Sequence, residues 1–178
     1  SSAAEIGLLE KEGFRVVREW KGMALERGDF RPVATGGSRP PGSLGIEVIS
    51  NDPGTLKEWL QIVNTYLMTG AQLGMEIKDA LLSDQSFRWM VAYLDGEPAG
   101  AGLSFEEGGV CGLYMIATVD SFRGRGVGTR ITGELVSRAL GSGSETIVLH
   151  ATGQGERIYR NLGFREVNRL SIMWHLGG

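Results

Sequence analysis

Residues 110–130 restrict the fold of this 178-residue chain more than any other stretch: an apolar run ends in a glycine turn and passes straight into a helical pattern. Residues 110–119 (Val-Cys-Gly-Leu-Tyr-Met-Ile-Ala-Thr-Val) are almost continuously apolar, which suits a central strand covered on both faces. Arg123-Gly124-Arg125-Gly126-Val127-Gly128 follows. Val127, Ile131, Leu135 and Ala139, flanked by Val136 and Leu140, then recur at helical spacing until Gly141-Ser142-Gly143 stops the helix. A strand, a tight turn and a helix in that order aim several backbone N–H groups and the positive end of the helix dipole at one point, where an anion fits. Gly124, Gly126 and Gly128 allow the backbone to approach closely, while Arg123, Arg125 and Arg130 add charge that pairs with phosphate oxygens. The competing reading is a glycine turn with solvated arginines. The buried strand and amphipathic helix on either side weigh against it.

Other phosphate loops fit less well. A P-loop ends in Lys followed by Ser or Thr, whereas this loop ends in Gly128-Thr129-Arg130. The dinucleotide fingerprint G-x-G-x-x-G needs a glycine at Thr129 and an acid ending the next strand, whereas Glu145 precedes that strand.

The rest of the chain reads as mixed α/β. Residues 45–50 alternate as a strand, and Asp52-Pro53 opens a helix carrying Leu56, Leu60, Val63 and Leu67. A helix is expected at 75–82, and strands at 88–94 and 99–105 are joined by the turn Asp95-Gly96-Glu97-Pro98. A buried strand follows at 146–151, then a short helix at 156–161 stopped by Gly163, then a terminal pair of strands at 164–176. At the N-terminus, residues 6–12 read as a helix and 14–25 as two strands broken near Lys21-Gly22. Pro32, Pro40, Pro41 and several glycines mark 29–45 as a linker. The expected organisation is a partial unit at 1–28, the linker at 29–45 and the main domain at 46–178. An echo links the ends: Gly13-Phe14-Arg15 matches Gly163-Phe164-Arg165, and Val17/Val167 and Met23/Met173 keep the same offset. We read the N-terminal piece as a partial copy of the C-terminal end.

Composition narrows the class of function. A net charge of −3 argues against nucleic acid, whose binding relies on clustered cations. Cys111 is the only cysteine and His150 and His175 lie far apart, so neither an internal disulfide nor a zinc cluster is expected and the cytoplasm fits best. No apolar run approaches the ~20 residues of a membrane helix. The start lacks the features of a signal peptide and also an initiating Met, which marks a candidate fragment.

Two motifs in the order and separation found here resemble the GNAT superfamily of N-acetyltransferases. Its R/Q-x-x-G-x-G/A signature is met by Arg123, Gly126 and Gly128, preceded by Ala117-Thr118-Val119 at the strand end. Its Tyr-x-x-x-Gly-Phe signature is met by Tyr159, Gly163 and Phe164. The resemblance spans about 45–176. It implies an acyl-CoA acyltransferase fold, an α/β mixed sheet whose central parallel strands splay apart to admit the pantetheine arm of acetyl-CoA. Backbone groups of Ala117, Thr118 and Val119 would pair with that arm. Arg123, Gly124, Arg125, Gly126, Val127, Gly128, Thr129 and Arg130 would wrap the pyrophosphate, and Thr152 takes the place of a cofactor-side Asn or Ser in many relatives. No metal is implied.

The implied chemistry is direct attack of an amine on the thioester. Tyr159 would give a proton to the departing sulfur, because a phenol with a reference pKa of ~10 stays protonated at neutral pH. In the N-terminal echo the matching residue is Leu9, so that copy would be silent. Many relatives carry a Glu on the fourth strand as base, and residues 110–119 hold no carboxylate. Glu106, Glu107, Asp120 and His150 are candidates, and the role stays unassigned. Cys111 sits inside an apolar strand and reads as core, not nucleophile. Trp59, Tyr66, Met68 and Met75 fall where relatives form one wall of the acceptor site. The expected partner is a small-molecule or peptide amine, with a homodimer left open by the linker's length. The alternative is a non-catalytic acyl-CoA-binding regulatory module.

Overall fold

The computed structural model describes residues 3–32, 46–68 and 72–175. Among the described residues, five α-helices, α1 (Ala3–Lys11), α2 (Leu56–Tyr66), α3 (Lys78–Ser83), α4 (Val127–Ser142) and α5 (Glu156–Leu162), accompany seven strands. The strands are β1 (Phe14–Glu26), β2 (Ile46–Ser50), β3 (Phe87–Leu94), β4 (Glu97–Glu107), β5 (Val110–Thr118), β6 (Thr146–Ala151) and β7 (Arg165–His175). They form one sheet in the order β2-β3-β4-β5-β6-β1-β7. Only β5 and β6 run parallel; the other neighbours are antiparallel. The expected mixed α/β sheet is therefore present.

The middle of the sheet is covered on both faces, and β3 shows how the sequence specifies this. Its side chains alternate, so Met90 and Ala92 join the core under α4 and α5, while Trp89 and Val91 join the core under α2 and α3. The helix α2 starts where expected. The Asp52 side chain accepts a hydrogen bond from Gly54 N at 2.9 Å, and Pro53 opens a short 3-10 turn ahead of Leu56. Trp59 and Val63, one turn apart, are fully buried, and Trp59 Nε1 donates to Gly102 O at 3.0 Å. On the opposite face, Gly100 lets α4 lie close to the sheet: a Cβ there would come within 2.7 Å of Val127 Cγ1. That contact seats the start of α4 against β4, where Gly100 pairs with Thr118 at the end of β5, and so fixes where the glycine turn sits.

Three expectations need correction. Residues 14–26 form one strand, not two broken at Lys21-Gly22. A Cβ on Gly22 would lie 1.7 Å from Asn168 Oδ1, so the Asn168 side chain of the neighbouring strand occupies the space left by the glycine. The register with β7 slips twice, between Val16 and Arg18 and between Gly22 and Met23, so the irregularity at Gly22 lies within a continuous strand. The C-terminal segment is likewise the single strand β7. Residues 110–119 are also not covered on both faces throughout, since Tyr114 is 45% exposed beyond the reach of α2.

The N-terminal piece lies within the sheet, with β1 hydrogen-bonded to β6 on one side and β7 on the other. The expected linker begins in a 3-10 turn at Arg27–Asp29, and within it Arg31 N donates to Leu162 O at 3.0 Å. Residues 33–45 lie outside the described residues. Arg27 also donates to Leu140 O and Ser144 O, both at 2.8 Å, satisfying carbonyls at the end of α4. No helix among the described residues is long and apolar enough to cross a membrane.

Candidate functional site

The parallel ladder between β5 and β6 runs from Val110↔Thr146 to Leu113↔Leu149 and then stops, although both strands continue. The cause lies in β5. Met115 has φ of 51°, and the register with β4 slips between Ala101 and Leu103. This bulge bends the strand away from β6. The gap that opens is a cleft of about 950 Å³ that reaches both faces of the sheet. Ile116, Ala117 and Thr118 form one wall, and Thr152, Gly155 and Tyr159 form the other.

The glycine turn closes one end. Gly124 and Gly126 have φ of +75° and +85°, and Gly126 caps the N-terminus of the 16-residue α4, whose first bond is Arg130 N to Gly126 O at 2.9 Å. Only glycine adopts these conformations without strain, so the turn presents backbone N–H groups rather than side chains. At Gly128 an added Cβ would meet Thr118 Oγ1 and Ile158 Cδ1, both at 3.3 Å, so a small residue is needed where loop, strand and α5 converge. Arg123, Gly124, Gly126, Val127, Gly128 and Thr129 all line the cleft.

Val119, Arg125 and Arg130 do not line it. Val119 lines a separate pocket of about 260 Å³ with Glu58, Gln61 and Tyr66. The arginines are not solvated cations either. Arg123 pairs with Asp120 at 2.8 Å, Arg125 pairs with Asp95 at 3.1 Å while lying over the Phe122 ring, and Arg130 faces Glu134 at 3.8 Å. Each pair is partly exposed, so each holds its arginine weakly. The Arg130 Nε is buried without a hydrogen-bond partner.

Tyr159 is buried beside the cleft, edge-on to Phe164 with ring centroids 5.9 Å apart. Burial pushes its phenol up to about 12. The proton therefore stays on throughout the neutral range. Its helix is tied down at both ends. Lys21 of β1 donates to both oxygens of Glu156 at 2.8 and 2.7 Å, and this lysine, followed by Arg160, holds the Glu156 carboxyl below the usual carboxylate range. Gly163 then ends the helix at φ of +106°, with the Asp29 carbonyl oxygen 2.1 Å from where a Cβ would be.

The base candidates are not brought to this site. Glu106 and Glu107 lie at the far end of β4, where Glu106 accepts a short hydrogen bond from Ser142. Asp120 is engaged by Arg123. His150 is exposed and stacks on Trp20 with ring centroids 6.0 Å apart. Cys111 is fully buried, and desolvation pushes its thiol up to about 12, so it remains a core thiol. Of the acceptor-wall residues, Trp59 is core, Met68 is half-buried, Met75 is exposed and Tyr66 reaches the cleft. Among the described residues, no group of His, Cys, Asp or Glu could hold a metal ion.

Sequence reasoning missed Arg18, Glu19, Trp20 and Arg157, all of which line the cleft. The first three arrive through the pairing of β1 with β6, for which no local pattern gives a register. Arg157 was visible as the second residue of a helix whose fourth residue is Tyr159.

A glycine-capped helix, a splayed pair of parallel strands and a buried phenol thus meet at one cleft in a mixed sheet. Residues 56–164 match the model of the acetyltransferase (GNAT) family, and the chain belongs to that family. No curated protein matches it in sequence. Among solved structures, it is similar to a GCN5-related N-acetyltransferase from Kribbella flavida, with a TM-score of 0.72 and 19% identity over 97% of this chain and 63% of that one. A GCN5-related N-acetyltransferase from Sphaerobacter thermophilus gives a TM-score of 0.72 and 22% identity over 95% of this chain and 55% of that one. An aminoglycoside N-acetyltransferase in complex with CoA gives 0.64 and 16% identity over 75% of this chain and 97% of its own. The chain thus spans less than two thirds of the solved structures that it matches along nearly its whole length. The family match begins at residue 56 and gives residues 1–28 no second copy. What they share with the C-terminal end is a helix, a left-handed glycine, a phenylalanine and a strand.

Proposed function

We propose that this chain transfers an acetyl group from acetyl-CoA to a primary amine. One observation carries the reading: the left-handed glycine turn capping α4 and the protonated Tyr159 phenol line the same cleft between β5 and β6. The residues fit the coenzyme. Gly124 and Gly126 leave backbone N–H groups uncovered at the positive end of a helix, as a pyrophosphate needs. The β5 edge beyond Leu113, past the end of the ladder with β6, offers backbone groups of Ala117 and Thr118 to the pantetheine amides. Val119, whose N–H already donates to Ala99 O at 2.9 Å, contributes through its carbonyl at most. Arg123 reaches the phosphates from the cleft wall, and Arg125 and Arg130 do so by exchanging their carboxylate partners for phosphate oxygens. Thr152 lines the opposite wall of the cleft.

Bound acetyl-CoA supplies the acyl group as a thioester: the C–S bond breaks as the amine's C–N bond forms, the amine loses a proton and the sulfur takes one. Tyr159 is placed to donate to the departing sulfur, because burial keeps its phenol protonated throughout the neutral range. It then recovers a proton from solvent. The amine's proton passes to solvent. A second reading, an acyl-CoA-binding module without turnover, draws support from the distance of Glu106 and Glu107 and the engagement of Asp120.

Free-thiol release from acetyl-CoA with a panel of primary amines separates the two. Transfer predicts turnover in the wild type and a kcat lower by about 10²-fold in Tyr159→Phe. Saturable acetyl-CoA binding with no turnover of any amine favours the module.

A further inference from the structure

Most arginines of the described chain have an acid or carbonyl partner. At the cleft, two have none among the described residues: Arg157 on α5 and Arg18 on β1. They stand on opposite faces. Arg157 belongs to the face where α4 and α5 pack, beside the glycine turn. Arg18 shares its face with Trp20 two residues on, because strand side chains alternate and the register of Arg18↔Ile172 and Trp20↔Leu170 is continuous. That parity is opposite to Met23 and Leu25, which enter the core under α4. Arg18 and Trp20 therefore look out on the α2 side, where Tyr66 and Leu67 complete the rim of the cleft.

Trp20 adds a second observation. Its ring is stacked at 19° on His150, and its indole N–H is buried without a hydrogen-bond partner. A buried donor left unpaired costs free energy and calls for an explanation. Indole donates only and guanidinium donates only. A single incoming group with several acceptor oxygens and a negative charge satisfies both. The neighbouring titratable groups do not fill that role. Glu19 points to the opposite face by parity, and His150 is occupied in the stack.

We infer that the α2-side mouth of the cleft selects an acceptor amine that also carries a carboxylate, held by Arg18 with the Trp20 N–H. This rests on the acetyltransferase reading above and names its acceptor class. The carboxylate binds at the rim, and the amine extends inward toward the thioester beside Tyr159. Arg18 and Trp20 are specificity residues, and neither touches the reacting carbon.

The test uses amine pairs that differ only by the presence of the carboxylate: lysine against cadaverine, and 4-aminobutyrate against propylamine. Thiol release from acetyl-CoA is followed for the wild type, Arg18→Gln, Arg18→Lys and Trp20→Phe. The wild type should use the carboxylated member of a pair with kcat/KM at least about tenfold higher, expressed in KM. Arg18→Gln should erase that preference, Arg18→Lys should keep part of it, and Trp20→Phe should lower it a few-fold, with acetyl-CoA affinity within twofold of the wild type. Equal use of both members, or a preference that survives Arg18→Gln, overturns the inference. So does saturable acetyl-CoA binding without turnover of any carboxylated amine. Failure to bind acetyl-CoA at all would instead overturn the coenzyme reading, and this inference with it.

Discussion

Gly13 and Gly163 each follow a helix, each adopt left-handed backbone at φ of +88° and +106°, and each lead into Phe-Arg at the head of a strand. The strands they open, β1 and β7, are antiparallel neighbours. The units differ in what their helices bury. Four residues before the glycine, α5 places Tyr159 in the core beside the cleft, whereas α1 places Leu9 at 41% exposure, next to Leu8 at 64%. A helix–glycine–strand signature is thus a local instruction to stop a helix and turn. Whether it becomes part of a site depends on which surface the helix packs against. The N-terminal unit serves the site through its strand, with Lys21 gripping Glu156 and with Arg18 and Trp20 on the cleft wall.

That contrast can be broken most sharply at the helices. Tyr159→Phe should lower kcat by about 10²-fold with acetyl-CoA affinity nearly unchanged, while Leu9→Ala should leave turnover within about twofold. Comparable losses in both would erase the distinction. At the glycines the expected gap is in stability. Gly163→Ala should cost about 3 kcal/mol in urea unfolding, since left-handed strain adds to a collision with the Asp29 carbonyl. Gly13→Ala should cost about 1 kcal/mol, because its Cβ meets only the movable His175 ring at 3.2 Å.

Smaller effects follow from pH. Cys111 and Tyr159 both keep their protons to about 12 in the folded chain, above the ordinary values of 9.0 and 10.0. The unfolded chain therefore releases protons first, and stability should fall as pH rises from about 9 toward 12. Cys111→Ala should soften the start of that fall in alkaline melting curves. On the acid side, the Glu156 carboxyl is held low chiefly by Lys21, so its contribution is present above the ordinary carboxylate pKa and lost as pH falls through the folded one. Lys21→Met should flatten that limb, and an unchanged acid melting profile would mean the grip of β1 on α5 has no energetic consequence.

The glycine turn, α4 and the buried middle of β5 were legible in the sequence because each follows from spacing within one or two turns of chain, whereas the place of Tyr159 was implied only by the family resemblance. Gly22 was read as a break because a glycine in a strand looks the same whether it ends the strand or admits a neighbour such as Asn168. The insertion of β1 between β6 and β7 was not legible, since strand partners distant in sequence carry no local register. Hence Arg18, Glu19 and Trp20 went unnoticed. The pairing of Arg123 with Asp120, three residues away, could have been read from the sequence. That of Arg125 with Asp95 depends on the β3–β4 turn meeting the glycine turn, which only the fold supplies.

Calorimetric titration with acetyl-CoA of the wild type and of Arg123→Glu tests the central claim most directly. Arg123 lines the cleft and is exposed, so reversing its charge should leave the fold intact. One saturable site in the wild type, weakened at least about tenfold by Arg123→Glu, is the expected result. No binding to the wild type, or equal affinity for both, would contradict the assignment of the glycine turn to the coenzyme.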